Sequence, residues 1–115
     1  MRYQKIGNLS ISENEKKAIE RVYTLTKKQW ANAEFIIFGS KATKTSDNES
    51  DFDLLILLPC KITQDIKQKI IYTIFEINIE YDVNISPLIV SKTDWHSKLS
   101  VLPIHYFIEK EGIAI

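Results

Sequence analysis

Residues 54–58 read Leu-Leu-Ile-Leu-Leu, and Pro59 closes the run. A strand with one wet face alternates apolar and polar side chains, so an unbroken apolar run is the pattern of a strand covered on both faces. This strand is therefore central, and the remainder of the chain must supply neighbours on its edges and cover on its faces. Residues 33–38, rich in aromatic and β-branched side chains and ended by Gly39, predict a second short strand close to it in sequence.

Helices are marked on both sides of this pair. Ser12-Glu13-Asn14-Glu15 has the form of a capping box, in which Ser12 accepts from the third helical amide while Glu15 reaches back. Beyond it Ile19, Val22, Tyr23, Thr26 and Trp30 recur at three- and four-residue steps and form the inward stripe, leaving Lys16, Lys17, Lys27 and Lys28 solvated. From Thr63 to about Ile77, the stripe of Ile66, Ile70, Ile74 and Ile77 predicts a second amphipathic helix. From Ile79 the period switches to two: Ile79, Tyr81, Val83 and Ile85 alternate with Glu80, Asp82, Asn84 and Ser86, which predicts a strand with one polar, partly acidic face. Pro87 then marks an edge or a bulge before Leu88-Ile89-Val90. The tail predicts a helix from about Pro103 to Lys110, stopped by Gly112. The order helix, strand, strand, helix, strand, helix indicates an α+β fold, a small mixed sheet with helices covering one face.

At 115 residues the chain suits one domain, 1–115, and has no room for a second. Lys and Arg total 15, as do Asp and Glu, so no global field collects nucleic acid or an anionic membrane, and any partner is recognised locally. Cys60 is the only cysteine, which excludes an internal disulfide and reads as a small apolar core residue. With no signal-like N-terminus and no apolar run of membrane-spanning length, the sequence reads as a soluble, cytoplasmic protein.

The chemistry is concentrated around the central strand. Gly39-Ser40 follows the first strand, ten residues intervene, and Asp51-Phe52-Asp53 leads into the second. Asp51 and Asp53 are two apart at a strand entrance, so both carboxylates share a face with Cα atoms roughly 6 to 7 Å apart. They repel unless a divalent cation sits between them, and magnesium typically uses one or two carboxylates together with substrate phosphates. Gly39 allows a sharp turn and close approach of an anion, Ser40 adds a hydroxyl and an amide, and Lys41 or Lys44 adds positive charge. Asp53, immediately before an apolar strand, needs a partner to offset its lost hydration.

The segment Phe38 to Leu58 resembles the signature of the polymerase-β-like nucleotidyltransferase superfamily, and specifically its minimal nucleotidyltransferase domains, whose pattern is Gly-Ser, ten residues, Asp-x-Asp. Ile108-Glu109-Lys110-Glu111-Gly112-Ile113 looks like the ending common in these small proteins, so the resemblance covers most of the chain. It implies a mixed sheet backed by helices, a nucleoside triphosphate such as ATP with Mg²⁺ as donor, and transfer of a nucleoside monophosphate with release of pyrophosphate. By position, Gly39, Ser40 and Lys41 would bind the nucleotide and Asp51 and Asp53 would hold metal. Some domains of this kind are antitoxins that adenylylate a tyrosine on a helical HEPN toxin encoded beside them, which makes a HEPN-type protein the implied partner.

The chain departs from the family pattern after Gly-Ser, where Lys41-Ala42-Thr43-Lys44 replaces Arg-Ala-Arg-Gly and so lacks a forked guanidinium and a glycine. The resemblance also implies a third carboxylate on a neighbouring strand. Asp82 is the favoured candidate, with Glu80 and Asn84 as alternatives; an asparagine could neither carry the charge nor take the proton. The leading expectation is thus a magnesium-dependent transferase acting on a protein or small-molecule acceptor. Its competitors are a weakened site that works by binding a partner, and a domain whose carboxylates hold metal for stability alone. His96 and His105 make no zinc pattern and read as structural. Trp30 reads as core, and Trp95 as core, pocket wall or partner anchor.

Overall fold

The structure is a computed structural model and describes residues 1–43 and 51–115. Segment 44–50, which contains Lys44, lies outside the described residues.

Strand β1 (Arg2–Tyr3) and a 3-10 turn at Ile6–Asn8 precede helix α1 (Glu13–Gln29). The capping box is present in full: Ser12 Oγ accepts from the Glu15 amide at 3.1 Å and Glu15 Oε1 accepts from the Ser12 amide at 3.1 Å. Next come β2 (Glu34–Phe38), the single turn α2 (Ser40–Thr43), β3 (Phe52–Leu58) and α3 (Gln64–Tyr81), the last capped by Thr63 Oγ1 on the Ile66 amide. Strand β4 (Ile85–Ser91), α4 (Lys92–His96), α5 (Pro103–Glu111) and β5 (Ile113–Ala114) complete the chain.

The five strands form one mixed sheet in the order β1-β5-β2-β3-β4. Strand β3 is flanked on both sides, antiparallel to β2 and parallel to β4, as its unbroken apolar run requires. Pro87 lies within β4, and β4 is an edge strand, where a missing N–H costs no ladder bond on the open side. Two short strands were not legible in the pattern. Ile113 and Ala114 pair with both β1 and β2, and runs of two residues are too short to show a period.

Helices α1 and α3 pack on one face over Phe35, Ile37, Leu54, Ile56 and Leu58. The opposite face is covered too, in part, by α4 and α5, which bring Trp95 and Ile108 onto Ile36, Leu55 and Leu57. That corrects the expectation of helices on one face. Trp95 is 1% exposed, its indole N–H donates to Glu109 Oε1 at 3.0 Å, and His105 stacks on it with ring centroids 4.4 Å apart. Of its three readings, core is the right one, and His96 is exposed on the surface.

The expected strand over 79–86 is also corrected. Helix α3 continues one turn past Ile77 to Tyr81, and Asp82 ends it in the left-handed conformation with φ 54°. The apparent alternation arose because Ile79 is an exposed apolar residue of the helix, out of phase with the buried stripe of Ile70, Ile74 and Ile77. The change of direction is fixed by Asn78, whose side-chain amide both accepts from the Ile85 amide at 2.9 Å and donates to its carbonyl at 3.0 Å.

Candidate functional site

The register of β3 decides which groups meet. Asp53 lies opposite Phe38 on β2 and Ser86 on β4, and alternation places it on the same face as Leu55 and Leu57, the face only partly covered by α4 and α5. Gly39 immediately follows Phe38, so the turn into α2 is carried up against the Asp53 carboxylate. Gly39 has φ +74°, and a Cβ built on it would overlap Asp53 Oδ2. Glycine is required here for two reasons at once: the backbone is left-handed, and the space belongs to the carboxylate. Ser40 opens α2, and no hydrogen bond engages its hydroxyl among the described residues.

Asp51 stands just before β3 and is exposed. Its Oδ1 accepts from Asn84 Nδ2 at 2.5 Å, and the Phe52 amide donates to the Asn84 carbonyl at 2.9 Å. Asn84 is thus the side chain that meets the acidic pair from the neighbouring chain segment. Asp82, the favoured third carboxylate, lies off the strand at the left-handed end of α3, and Glu80 lies within that helix. Neither follows the sheet alternation that had grouped them with Asn84. Among the described residues no cluster of three His, Cys, Asp or Glu side chains is gathered that could hold a metal ion. The carboxylate donors at the site are Asp51 and Asp53, hard oxygens of the kind that suits a hard divalent cation.

Burial first, and the neighbouring Asp51 carboxylate second, push the Asp53 carboxyl above its ordinary value of 3.8. A group whose pKa is raised on folding contributes stability below its unfolded value, and that contribution is lost as pH rises through the folded value. Metal-free protein therefore loses Asp53's contribution as pH climbs above 3.8. Thermal unfolding in EDTA should show Asp53→Asn gaining on the native chain between acid and neutral pH; a gap that stays constant with pH would contradict the desolvated carboxylate.

Lys41, expected to add positive charge at the turn, is engaged with α1. Its side chain is 4% exposed and its ammonium lies 3.0 Å from Glu15 Oε2, a side chain 12% exposed on α1. The side chain is thus held mostly buried beside α1. Glu15 is the residue that the sequence reading missed in this role, since the capping box accounted for it locally. One carboxylate caps α1 through Oε1 and anchors the first turn of α2 through Oε2. With its partner truncated, either charge would be left buried, which makes the pair a rigid tie between α1 and the turn beside Asp53.

A cavity of about 310 Å³ adjoins the same turn, lined by Phe38, Gly39, Ile104, Phe107, Ile108 and Glu111. It is walled by α5, whose Ile104, Tyr106 and Phe107 are exposed.

The family profile described as nucleotidyltransferase domain matches residues 16–111. The chain belongs to that family. A relative in Methanocaldococcus jannaschii, provisionally named a protein adenylyltransferase, is 47% identical over 58 residues, a stretch covering 50% of this chain and 59% of the relative. The mixed sheet with helices is that of a nucleotidyltransferase domain, and Gly39 meets Asp53 at the entrance of its central strand, which Asp51 precedes. Among the described residues no helix of this nucleotidyltransferase domain is long and apolar enough to cross a membrane.

Proposed function

We propose that the domain transfers a nucleoside monophosphate, AMP from ATP, to a hydroxyl of a protein acceptor, with Mg²⁺ held by Asp51 and Asp53. The observation that carries the reading is the packing of the left-handed Gly39 turn against Asp53, which puts a side-chain-free backbone next to a carboxylate pair. Gly39 and Ser40 offer backbone and hydroxyl to the phosphates, and a cation bound by the pair would neutralise it and draw charge from the phosphoryl oxygens. The acceptor oxygen bonds to the α-phosphorus, the bond to the β-phosphate breaks, and pyrophosphate and a proton are released. Support for a protein acceptor comes from the exposed apolar side chains of α5 beside the cavity at Gly39, and from the name carried by the archaeal relative. The narrower form is an antitoxin that modifies a HEPN-type protein, acting in the cytoplasm.

Asn84 favours a second reading, a weakened site that acts by binding its partner. An amide beside Asp51 supplies neither the charge nor the base of a carboxylate. Incubation with ATP labelled on the α-phosphate, Mg²⁺ and the protein encoded next to this one distinguishes the two. Transfer predicts label on the acceptor that disappears without Mg²⁺ and in Asp51→Asn. No label, with neutralisation of the partner unchanged in Asp51→Asn, would leave only the binding reading. Asn84→Asp should raise the rate of transfer, by about a hundredfold if it restores a general base. An unchanged rate would mean that position 84 plays no part in the chemistry.

A further inference from the structure

Helix α2 is a single turn, Ser40–Thr43, whose backbone bonds share one acceptor: the Ala42 and Thr43 amides donate to the Gly39 carbonyl at 3.1 and 3.2 Å. A helix this short does not hold itself, because its first turn fixes several dihedral angles for very few bonds. Its place must come from tertiary contacts. The shared acceptor makes that place matter for the site. The Gly39–Ser40 peptide is planar and trans, so a carbonyl directed into the turn sends the Ser40 N–H the opposite way, out of it. Wherever α2 is held, the peptide beside Asp53 is aimed with it.

Contacts from two distant parts of the chain hold this turn. Lys41, whose side chain is 4% exposed, meets Glu15 Oε2 at 3.0 Å. At the other end the Arg2 guanidinium donates to the Ala42 carbonyl at 3.2 Å. The tie to Glu15 is the stiffer of the two. Glu15 is itself fixed through Oε1, which accepts from the Ser12 amide at 3.1 Å, so its carboxylate cannot follow a moving lysine without opening the cap of α1. Arg2, by contrast, is exposed and belongs to a strand of two residues.

We propose that Glu15 is a positioning residue for nucleotide binding: through Lys41 it sets the angle at which the Gly39–Ser40 peptide faces the phosphates. This role rests on the nucleotide-binding reading of Gly39, Ser40, Asp51 and Asp53 given above. Position 41 then serves as the arm of the tie and not as a phosphate contact.

Glu15→Gln separates the two roles of position 41, since glutamine at the third helical position preserves the cap while removing the charge opposite Lys41. Calorimetry with ATP and Mg²⁺ should show affinity lowered about tenfold or more, the scale on which loss of an orienting partner acts. Lys41→Met should lower it to the same degree, and the two substitutions together no further, because both remove one tie. The double variant leaves no unpaired buried charge, so its Tm stays near the native value while its affinity does not recover. Hydrogen exchange reads the same tie without nucleotide: in the double variant the Ala42 and Thr43 amides should exchange about tenfold faster or more, while those of β3 keep their native rates. Affinity unchanged or raised in Glu15→Gln would overturn the proposal, because a lysine released from α1 would then serve the phosphates directly, or the turn would need no tie. So would losses that add in the double variant, native affinity in that variant, or unchanged exchange at Ala42 and Thr43. Native protein that binds no ATP with Mg²⁺ would sink the nucleotide reading and this role with it; native binding with an indifferent Glu15→Gln sinks this role alone.

Discussion

If the proposed function holds, replacing Asp53 by Asn should remove Mg²⁺-dependent nucleotide binding and, in the same protein, raise the thermal midpoint of the metal-free fold. The two effects have one cause. Asp53 is held where burial and the Asp51 charge both oppose its ionised form, so the metal-free protein carries an unfavourable group at neutral pH. A neutral amide of the same shape relieves that penalty; the carboxylate is only partly buried and solvent screens it, so the expected rise in Tm is small. Function moves the other way, because the amide cannot balance a cation. Transfer should fall by at least about a hundredfold, the scale on which loss of one preorganised charge-stabilising group acts. Calorimetry with ATP and Mg²⁺ reads the first effect and thermal unfolding in EDTA the second. Metal-dependent binding that survives in Asp53→Asn would sink the assignment of the site.

Gly39→Ala should weaken the same binding with the opposite sign on stability. Alanine at φ +74° costs about 1–2 kcal/mol of backbone strain, and its Cβ lands on Asp53 Oδ2. The carboxylate must then swing away from Asp51, or the turn must lift off β3. Either response separates the phosphate-facing backbone from the acidic pair. The expected outcome is a Tm several degrees below the native chain and nucleotide affinity lowered tenfold or more. A variant that binds as well as the native protein would show that the contact between turn and carboxylate has no functional weight.

The stability signs of these two variants separate a damaged fold from a damaged site. Asp53→Asn loses function while gaining stability, which no general unfolding can mimic. Gly39→Ala loses both, as a change at a strained and crowded backbone position should.

The elements most legible in the chain were those with long, consistent signals. The capping box at Ser12 and Glu15, the buried stripe of α1 and the unbroken apolar run of β3 each appear where their pattern put them. Such signals are local, because side chains repeat along the backbone with the period of the element that they cover. The misreading at Ile79–Ser86 has an equally local origin. An exposed isoleucine on a helix is indistinguishable from an inward-facing one on a strand until the neighbouring surface is known. The side chain that settles the boundary is Asn78, through a pair of hydrogen bonds to Ile85 across the turn.

The site divides in the same way. Gly-Ser and Asp-x-Asp at their spacing were sufficient to identify the family and the two carboxylates, since strand alternation alone puts Asp51 and Asp53 on one face. Position 41 was read as a nucleotide-binding residue from its positive charge and its place after Gly-Ser. Here its partner is Glu15, 26 residues earlier in a different helix, and only the packing of α1 beside α2 brings the two charges together. At the third position of the site Asp82 was favoured, with Glu80 and Asn84 as alternatives, and local pattern could not choose among them for the same reason. Register between β3 and the segment entering β4 depends on how far α3 runs before it stops, and that length is set by the sheet and core against which the helix packs. Local periodicity determined the central strand, the first helix and the paired aspartates; the contacts of Asn84 with Asp51 and of Lys41 with Glu15 join residues far apart in sequence, and only the tertiary structure could decide them.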